Sequence, residues 1–417
     1  MGRLLRSPHL DFVAVTASYH DRALGRGADY ARAPITSVGL HGKLWYHDND
    51  TVSFRYDAMN AGRTDRDTVA RYRRELGITE TAQETIWQYR RGAGFVLGHG
   101  IYQSFFDLHG GYFDDPALMA EVQRLNALLD GSKQHDCSSV AEILVVSDEA
   151  SCSDATFESG FLQQTLQPAQ VQLAKLGAPH DSILVDDLAL ADLNRYKFVL
   201  FLNCFHLSDA QRRLIRRRVL NRNRTVLWCY APGLFNGPKA SVHAMQELTG
   251  FHLALAATPD RVQARIRLSD RGAQFGSNAS PSPQLIGHEH IWAPLISVED
   301  HSATALGKLA GRSEVVLAMK SMSGWTSVYS LNPVLPASFL RRLARHAGAH
   351  VYNDQDDTVY ASRSFLTLAA NLAGRRRIRL PRRSDVYDPF TGQRLWHRAT
   401  GFEQTFQSKE TVIWRIV

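Results

Sequence analysis

The sequence predicts a multi-domain α/β protein, and three observations lead to this prediction. Residues 1–138 repeat strand-like and helix-like segments, residues 139–357 alternate apolar strands with helices, and residues 358–417 contain only short strand-like segments. A chain of 417 residues has room for two or three domains of roughly 100–200 residues each. We therefore predict a partial (β/α) barrel, a doubly wound α/β domain and a small C-terminal antiparallel β-sandwich.

The first domain is predicted from strands that are each followed by a polar loop. Strands are expected over residues 11–15, 37–45 and 93–100, and helices over residues 66–91 and after Asp114-Asp115-Pro116. Acidic residues and proline are typical of a helix N-terminus. Repeated strand, loop and helix is the pattern of a (β/α)₈ barrel, which needs about 250 residues. The segment is therefore expected to be either part of a truncated barrel or a smaller α/β layer of another kind.

The second domain is predicted from alternating apolar strands and helices. Its strands are expected at residues 142–147, 182–185, 196–203, 225–230 and 350–352, with a hairpin at 315–319 and 325–329. Gly177 is expected to end a helix over residues 159–176. Ser208 and Asp209 are expected to cap an arginine-rich helix, and a further helix is expected over residues 336–346. This alternation is typical of a doubly wound sheet.

The last domain is predicted to contain strands alone. Short apolar runs lie at residues 359–361, 365–368, 377–380 and 411–416, and a strong turn signal lies at residues 388–392. Helix-period segments are not found between these runs. About 55 residues of this kind predict a small antiparallel β-sandwich.

Charge and cysteine content exclude several classes of function. The net charge is +7 and four cysteines are present, none of them in a Cys-x-x-Cys pair, so we expect buried free thiols. Two clusters contain much of the arginine: Arg212, Arg213, Arg216, Arg217, Arg218, Arg222 and Arg224, and Arg375, Arg376, Arg377, Arg379, Arg382 and Arg383. Because no nucleic-acid-reading motif accompanies either cluster, we do not expect a nucleic-acid partner.

Membrane, metal and cofactor functions are not expected either. No window approaches the roughly 20 apolar residues of a membrane span, and the N-terminus lacks the apolar core of a signal peptide. The histidines are scattered, and no glycine-rich phosphate loop follows a strand. We expect a cytoplasmic protein without a metal or another cofactor.

Several phrases of the sequence carry a resemblance to a known family. They are Ser7–Phe12 with Ser18–Arg22, His41–Trp45 with Asp48–Thr51, Phe106–Phe113, and Leu340–Ala344 with Ala347–Tyr352. Together with the domain order, they resemble the β-galactosidases of glycoside hydrolase family 42 and their relatives. The resemblance implies that residues 8–15, 37–45 and 93–98 correspond to barrel strands six, seven and eight of an N-terminally truncated chain. It also implies that the middle domain is flavodoxin-like or amidotransferase-like and drives trimerisation.

The same resemblance identifies candidate catalytic carboxylates. In these enzymes the acid/base Glu follows strand four in an Asn-Glu pair, which has no counterpart here, and the nucleophile follows strand seven. Asp48 stands at the position of the nucleophilic Glu, and Asp50 stands two residues later. Retaining glycosidases need two carboxyl groups about 5–5.5 Å apart. Residues 48–51 also fit an Asx-type turn, and both interpretations remain open. Asp107 is a weaker candidate acid or a hydrogen-bonding loop residue.

Further residues are candidates for saccharide binding. Aromatic rings suit the apolar face of a pyranose, which makes Trp45, Tyr19 and Phe106 candidates for stacking. Ordinary packing explains them equally well. Lys43 and Arg22 are candidates for binding sugar hydroxyls or neighbouring carboxylates. Asp107 is a further candidate for binding the substrate.

The sequence as a whole favours a β-galactosidase-like glycoside hydrolase with a two-carboxylate retaining mechanism. The alternative is a non-catalytic carbohydrate-binding or structural remnant of such an enzyme. A cysteine nucleophile at Cys204 or Cys229 is not expected, because neither lies in a Gly-x-Cys-x-Gly elbow. The expected partners are a carbohydrate and further copies of the chain, as a dimer or trimer.

Overall fold

The computed structural model of the protein describes most of the chain as two compact units. It describes all residues except 17, 18, 20, 57–64, 66, 68, 69, 71, 72, 74, 75, 109, 155–159, 238, 257–261, 277–283 and 290. The doubly wound unit comprises Met1–Arg3, Glu142–Leu173 and His180–His350. The two-sheet unit comprises Leu4–Ala141, Ala174–Pro179 and Val351–Val417. Among the described helices, none has both the length and the apolar composition to cross a lipid bilayer.

The N-terminal part of the two-sheet unit contains a small parallel sheet. Its elements are α1 (Gly2–Leu5), β1 (Phe12–Thr16), α2 (Ile35–Leu40), β2 (Leu44–Asn49), α3 (Ala82–His99), β3 (Tyr102–Phe105) and α4 (Pro116–Ser132). The three strands pair in the order β1-β2-β3, all parallel. Helix α4 begins as predicted, because the Asp115 side chain accepts hydrogen bonds from the amides of Ala117 and Leu118.

The strand predicted over residues 93–100 is wrong, because residues 82–99 form helix α3. Almost every residue in its second half is buried, so no polar stripe marks the helical period, and such a run cannot be distinguished from a buried strand. Its glycines permit close packing on several sides. A Cβ at Gly92 would meet the Asn49 side chain, and one at Gly94 would overlap the side chain of Thr367.

The strand predicted over residues 37–45 is also misplaced. Helix α2 ends at Leu40, Gly42 adopts φ +67°, and β2 begins only at Leu44. The positive φ interrupts any continuous strand and suits glycine. The helix predicted over residues 66–91 falls partly outside the described residues, and within its range α3 begins at Ala82.

The doubly wound unit contains one large mixed sheet and several short strand pairs. Its elements are β4 (Ile143–Ser147), α5 (Phe161–Ala174), β5 (His180–Leu184), β6 (Phe198–Phe201), α6 (Asp209–Arg218), β7 (Arg224–Cys229), β8 (Phe235–Asn236), β9 (Lys239–Ala240), α7 (Val242–Thr249), β10 (Leu253–Leu255), β11 (Val262–Gln263), β12 (Ile266–Leu268), α8 (Asp270–Ala273), β13 (Leu285–Ile286), β14 (Ile291–Trp292), β15 (Ile296–Val298), β16 (Thr304–Leu309), β17 (Val315–Met322), β18 (Trp325–Ser330) and α9 (Ala337–His346).

The strand order of the large sheet confirms the predicted doubly wound fold. The sheet runs β13-β12-β16-β17-β18-β7-β6-β4-β5, and β5, β4, β6, β7 and β18 are mutually parallel. Numbered along the chain, the parallel strands have the order 2-1-3-4-5, which is that of flavodoxin-like sheets. Ser208 caps α6 through a reciprocal capping box with Gln211. Residues 350–352 form no strand.

The C-terminal part of the two-sheet unit is antiparallel, as predicted, but its strands form one sheet rather than the two sheets of a sandwich. Its strands are β19 (Thr358–Ala361), β20 (Phe365–Ala369), β21 (Gly374–Tyr387), β22 (Arg394–Phe406) and β23 (Thr411–Ile416). They form one sheet in the order β19-β20-β23-β21-β22. Strand β22 was not predicted, because most of its side chains are exposed and the segment lacks a continuous apolar run. Phe365 and Ile413 of this sheet pack with Tyr89 and Leu97 of α3.

Candidate functional site

Three polar side chains form a row across the C-terminal ends of β1, β2 and β3. The strand register pairs Thr16 with Asp48 and Asp48 with Ser104. The Ser104 hydroxyl donates a hydrogen bond of 3.2 Å to Asp48 Oδ1. Because the strands are parallel, their C-terminal ends meet at one edge of the sheet, as they do where parallel sheets bind ligands.

Asp48 is the more accessible of the two predicted catalytic carboxylates. Its side chain is half-buried, and by strand alternation it shares a face of the sheet with Leu44 and Tyr46. Within the part of the chain that the structure describes, no ion pair neutralises Asp48. Its charge is therefore available to a ligand at this edge.

Asp50 lies in a different setting, because it is buried and doubly bound. Arg22 Nη2 donates to Asp50 Oδ1 at 2.8 Å, and the Tyr19 hydroxyl donates to Oδ2 at 2.7 Å. Burial, followed by the hydrogen bond to Asp50, raises the pKa of Tyr19. The structure thus brings Asp50, Arg22 and Tyr19 together. Asp48 has a different hydrogen-bond partner, Ser104.

Two arginine side chains contact the ring of Tyr19. The guanidinium carbons of Arg22 and Arg32 each lie 4.6 Å from the ring centroid. Both distances are within the range of cation–π contacts, which compete with a sugar for the ring. The tyrosine therefore acts on the site through its hydroxyl, which holds Asp50.

A second buried ion pair supports the first. Arg91 Nε donates to Asp29 Oδ2 at 2.7 Å, and Arg91 Nη2 donates to the backbone carbonyl of Arg22 at 2.6 Å. The backbone amide of Asp29 donates to the Tyr360 hydroxyl, which donates in turn to the Asp29 carbonyl. Helix α3 and strand β19 thereby fix the loop that carries Arg22.

Histidine 47 and Trp45 lie on the opposite face of β2 from Asp48. Their exposed fractions are 2% and 3%, and the His47 ring lies 5.3 Å from the Phe95 ring of α3. Burial lowers the pKa of His47 to about 4, although nearby Asp29 opposes this change. Trp45 therefore lies in the layer between sheet and helix, away from the row that contains Asp48.

Lys43 is also separated from the polar row. It precedes β2, and Asp48 lies near the other end of that strand. At about 3.3 Å per residue, roughly 16 Å of strand separates them. The misplaced strand over residues 37–45 had put Lys43 at a C-terminal strand end, where it does not lie.

Phe106 and Asp107 follow β3 directly and differ in role. Phe106 is 43% exposed, and its amide donates to the Asn49 carbonyl, which extends the pairing of β2 and β3. Asp107 accepts hydrogen bonds from the amides of Gly110 at 2.6 Å and Tyr112 at 3.0 Å. Phe106 thus lies beside the polar row, whereas Asp107 closes its own loop.

Tyr112 lies among the same carboxylates. Burial raises its pKa to about 12, and the negative charges of Asp50 and Asp107 add to the rise. This tyrosine is 2% exposed, so it forms part of the base of the site.

Sequence reasoning missed several residues of this arrangement. Ser104 was not considered, because the third strand had been predicted over residues 93–100 instead of Tyr102–Phe105. Asp29 and Arg91 were missed because they are 62 residues apart along the chain, and Arg32 was missed because no local pattern pairs it with Tyr19. Period-two alternation, applied to the correct third strand, would have paired Ser104 with Asp48.

Neither of the two cysteines considered as nucleophiles in the doubly wound unit is exposed. Burial raises the pKa of the Cys204 and Cys229 thiols, which leaves both as unreactive thiols. Asp148 accepts from the amide and hydroxyl of Ser151, and its backbone is bound by Asn203. These contacts join the segment after β4 to the segment after β6 and satisfy the groups that make them.

Comparison with solved structures identifies similar folds. A catalytic mutant of Gan42B, a GH42 β-galactosidase from G. stearothermophilus, matches with a TM-score of 0.63 and 15% identity, over 98% of this chain and 64% of the mutant. A β-galactosidase from Bacillus circulans sp. alkalophilus matches with a TM-score of 0.59 and 12% identity, over 93% and 62%. A polyextremophilic β-galactosidase from the Antarctic haloarchaeon Halorubrum lacusprofundi matches with a TM-score of 0.56 and 12% identity, over 97% and 63%.

Sequence comparisons add no closer relative. No protein-family model matches the chain, and no curated protein matches it. The chain spans less than two thirds of the length of the β-galactosidases that it matches. At this level of identity the likeness concerns the fold, and over nearly its whole length the chain has the fold of part of a GH42 β-galactosidase.

Proposed function

We propose that this chain is a glycoside-hydrolase-type protein that recognises a β-galactoside through a strand-end site centred on Asp48. The observation that carries the proposal is the Asp48–Ser104 pair at the C-terminal edge of a parallel sheet. The carboxylate has no ion-pair partner among the described residues, and a saccharide hydroxyl can donate to it. The fold shared with β-galactosidases supports the choice of sugar.

The surrounding residues have distinct roles in this proposal. Asp48 contacts the sugar, and Ser104 orients its carboxylate. The exposed ring of Phe106 offers an apolar surface for a pyranose. Arg22 and Tyr19 are positioning residues, because they hold Asp50 rather than a ligand. In a retaining reaction Asp48 would be the nucleophile, attacking the anomeric carbon as the glycosidic bond breaks.

Saccharide binding without hydrolysis is the second candidate, and a specific observation favours it. A retaining mechanism needs a second carboxylic acid to protonate the leaving oxygen. Asp50 is neutralised by Arg22, and Asp107 is engaged by two backbone amides. Neither carboxyl group is thus a ready proton donor to a leaving group.

Hydrolysis and binding assays distinguish the two candidates. We would incubate the purified 417-residue chain with a panel of chromogenic glycosides, including aryl β-galactosides. Galactose and lactose binding would be measured separately by calorimetry. The variants are Asp48→Asn and, as a matched control, Asp130→Asn, which alters an exposed aspartate of α4.

Each outcome has a defined meaning. Turnover that is lost in Asp48→Asn and kept in Asp130→Asn supports the hydrolase. Binding without turnover, weakened at least about tenfold by Asp48→Asn, which is a loss of about 1.4 kcal/mol, supports the second candidate. If the chain neither binds nor hydrolyses any member of the panel, both are wrong.

A further inference from the structure

The positive charge of the chain is concentrated in its last three strands. Residues 374–417 contain ten Lys and Arg and four Asp and Glu, which is a net charge of +6. The whole chain carries +7, which leaves +1 for residues 1–373. Nine of the ten basic residues are arginine, whose planar guanidinium binds oxyanions with two parallel hydrogen bonds. This local excess of arginine indicates an anionic partner.

The register of β21 and β22 puts three of these arginines in one row. Arg375, Arg377 and Arg379 lie on one face of β21, and Glu403 of β22 lies opposite Arg377. Glu403 forms its ion pair with Arg375, and Arg379 pairs with Asp354 at 2.7 Å. In the part of the chain that the structure describes, Arg377 forms no ion pair. One unpaired guanidinium therefore lies between two that already bind carboxylates.

A bulge in β21 follows this row and adds two more arginines. Between Arg379 and Ser384 the register shifts, and residues 380–383 have almost no counterpart in β22. Bulges redirect side chains and are common beside functional sites. Arg382 and Arg383 lie in this bulge, and both are exposed. The bulge thus brings two guanidiniums together at the end of the arginine row.

The backbone of β22 beside the bulge is strained. Arg398 has φ +44°, which residues other than glycine rarely adopt. The carboxylate of Asp385 holds it, because Oδ1 accepts a hydrogen bond of 2.6 Å from the Arg398 amide. Asp385 also binds Arg394 at 3.2 Å and lies 3.0 Å from His397 Nδ1. Among the described residues, the guanidiniums of Arg398 and of the bulge have no ion pair. Strain of this kind is typical of binding sites.

The unpaired guanidiniums restrict what can lie against the hairpin. Removing a charge from water without a counter-charge is strongly unfavourable, so a neutral surface is a poor partner and an anionic one is favoured. Arg375, Arg379 and Arg394 already bind carboxylates of the chain, and a uronic acid presents the same group. At about 3.3 Å per residue, residues 375–383 extend over roughly 25 Å. This length suits a polymer with repeated carboxylates better than a single small anion.

The aromatic rings of the hairpin favour a polysaccharide over a single-stranded nucleic acid. Proteins that bind single strands stack bases on aromatic side chains. Trp396 instead stacks on Phe402 at 4.2 Å, and Phe402 contacts Trp414 edge-to-face at 5.2 Å. These rings pack in the core of the C-terminal sheet. Binding at the hairpin therefore relies on charge and hydrogen bonds, which the carboxylates and hydroxyls of an acidic polysaccharide supply.

We propose that the β21–β22 hairpin binds an acidic polysaccharide through the carboxylates of its uronic acids. Arg377, Arg382, Arg383 and Arg398 are the guanidiniums that pair with these carboxylates. The choice of a saccharide rests on the proposed function and extends it, because the β-galactoside recognised at Asp48 would then belong to a polymer that contains uronic acids.

The test is the binding of polygalacturonate, a polymer of uronic acids, to the full chain. Dissociation constants would be measured by calorimetry for the unaltered chain and two double variants. One combines Arg382→Gln with Arg383→Gln. The matched control combines Arg213→Gln with Arg217→Gln, which removes two exposed arginines of α6 and gives the same net charge. Neutral dextran and single-stranded DNA, at an equal concentration of anionic groups for the DNA, are the comparison polymers. The melting temperature would verify that each variant is folded.

The proposal predicts that polygalacturonate binds, that added salt weakens the binding and that dextran does not bind. The bulge double variant should weaken binding at least about tenfold, because it removes two charge-assisted contacts. Arg377→Gln is an independent variant and should weaken binding about threefold, whereas the α6 control should change it less than about twofold. Absence of binding, equal losses in the two double variants, or tighter binding of DNA than of polygalacturonate would overturn the proposal.

The two proposals can fail separately. Polygalacturonate contains no β-galactoside, so Asp48→Asn should leave its binding unchanged. The bulge double variant should in turn leave the binding or turnover of small aryl β-galactosides unchanged. Loss of polygalacturonate binding in Asp48→Asn would place the polymer at the strand-end site and contradict the assignment to the hairpin.

Discussion

The carboxylate of Asp50 lies 2.8 Å from the guanidinium of Arg22, and neither side chain is more than 4% exposed. Two residues earlier, Asp48 is half-buried and bound to the neutral hydroxyl of Ser104. The pair of aspartates that looks equivalent in the sequence is therefore divided into one carboxylate fixed in an ion pair and one open to a ligand. Substitutions of the two aspartates are therefore expected to differ in their effect on the free energy of unfolding.

Asp50→Asn is expected to destabilise the protein much more than Asp48→Asn. Removing one partner of a buried ion pair leaves the other charge uncompensated, at a cost of about 3–5 kcal/mol. Asp48→Asn is expected to change the free energy of unfolding by less than about 1 kcal/mol, because among the described residues its carboxylate is bound by a neutral hydroxyl. Urea denaturation of the two variants checks this. Equal losses of stability would show that the two carboxylates are not divided in this way.

The Asp29–Arg91 pair is expected to behave as one unit with the loop that carries Arg22. Arg91→Met removes the ion pair and the hydrogen bond to the Arg22 carbonyl, so we expect a loss of about 3–5 kcal/mol. The control is Arg124→Met, whose arginine is 55% exposed and pairs with Glu121, and its expected loss is below about 1 kcal/mol. In a double-mutant cycle, Asp29→Asn should cost much less in the Arg91→Met background. Additive losses would contradict the coupling.

Histidine 47 is expected to make the protein sensitive to acid. Burial lowers its pKa from 6.5 to about 4, so the folded state prefers the neutral imidazole. This contribution is complete above pH 6.5 and is lost as the pH falls toward 4, because the unfolded chain takes up the proton first. The difference in pKa corresponds to about 3 kcal/mol.

The pH dependence is measured by comparing denaturation at pH 7 and pH 4. His47→Gln cannot take up this proton, so its stability should fall less between the two pH values than that of the unaltered chain. His9→Gln, which changes an exposed histidine, should follow the unaltered chain. Identical pH profiles for all three proteins would rule out this role for His47.

Glycine 94 is expected to be required for the packing of α3 on the C-terminal sheet. A Cβ at this position would overlap the side chain of Thr367, which is 1% exposed. We expect Gly94→Ala to cost about 1–3 kcal/mol through overpacking. Gly131→Ala in α4 is the control, because nothing lies within 4 Å of its Cβ position, and it should stabilise by up to about 1 kcal/mol. A stabilising Gly94→Ala would contradict the close packing.

The sequence predicted best where local chemistry is decisive. Asp115 and Ser208 begin their helices as expected, because a side-chain cap satisfies backbone amides within three residues. The apolar runs of β4, β5, β6, β7, β17 and β18 were located within two or three residues, whereas the short strands β12, β13 and β16 of the same sheet were not predicted. Helix α3 was mistaken for a strand, since a helix buried on several sides loses the polar stripe by which its period is recognised.

The sequence by itself determined the class of each part of the chain, six of the nine strands of the doubly wound sheet and the end of β2 as a candidate site. Only the tertiary structure decided that Asp50 is bound by Arg22 while Asp48 pairs with Ser104, and that Trp45 lies on the opposite face. The physical reason is the range of the interactions. Caps and periodicity act over a few residues, whereas an ion pair or a strand register joins residues that are distant along the chain, and no local pattern records it.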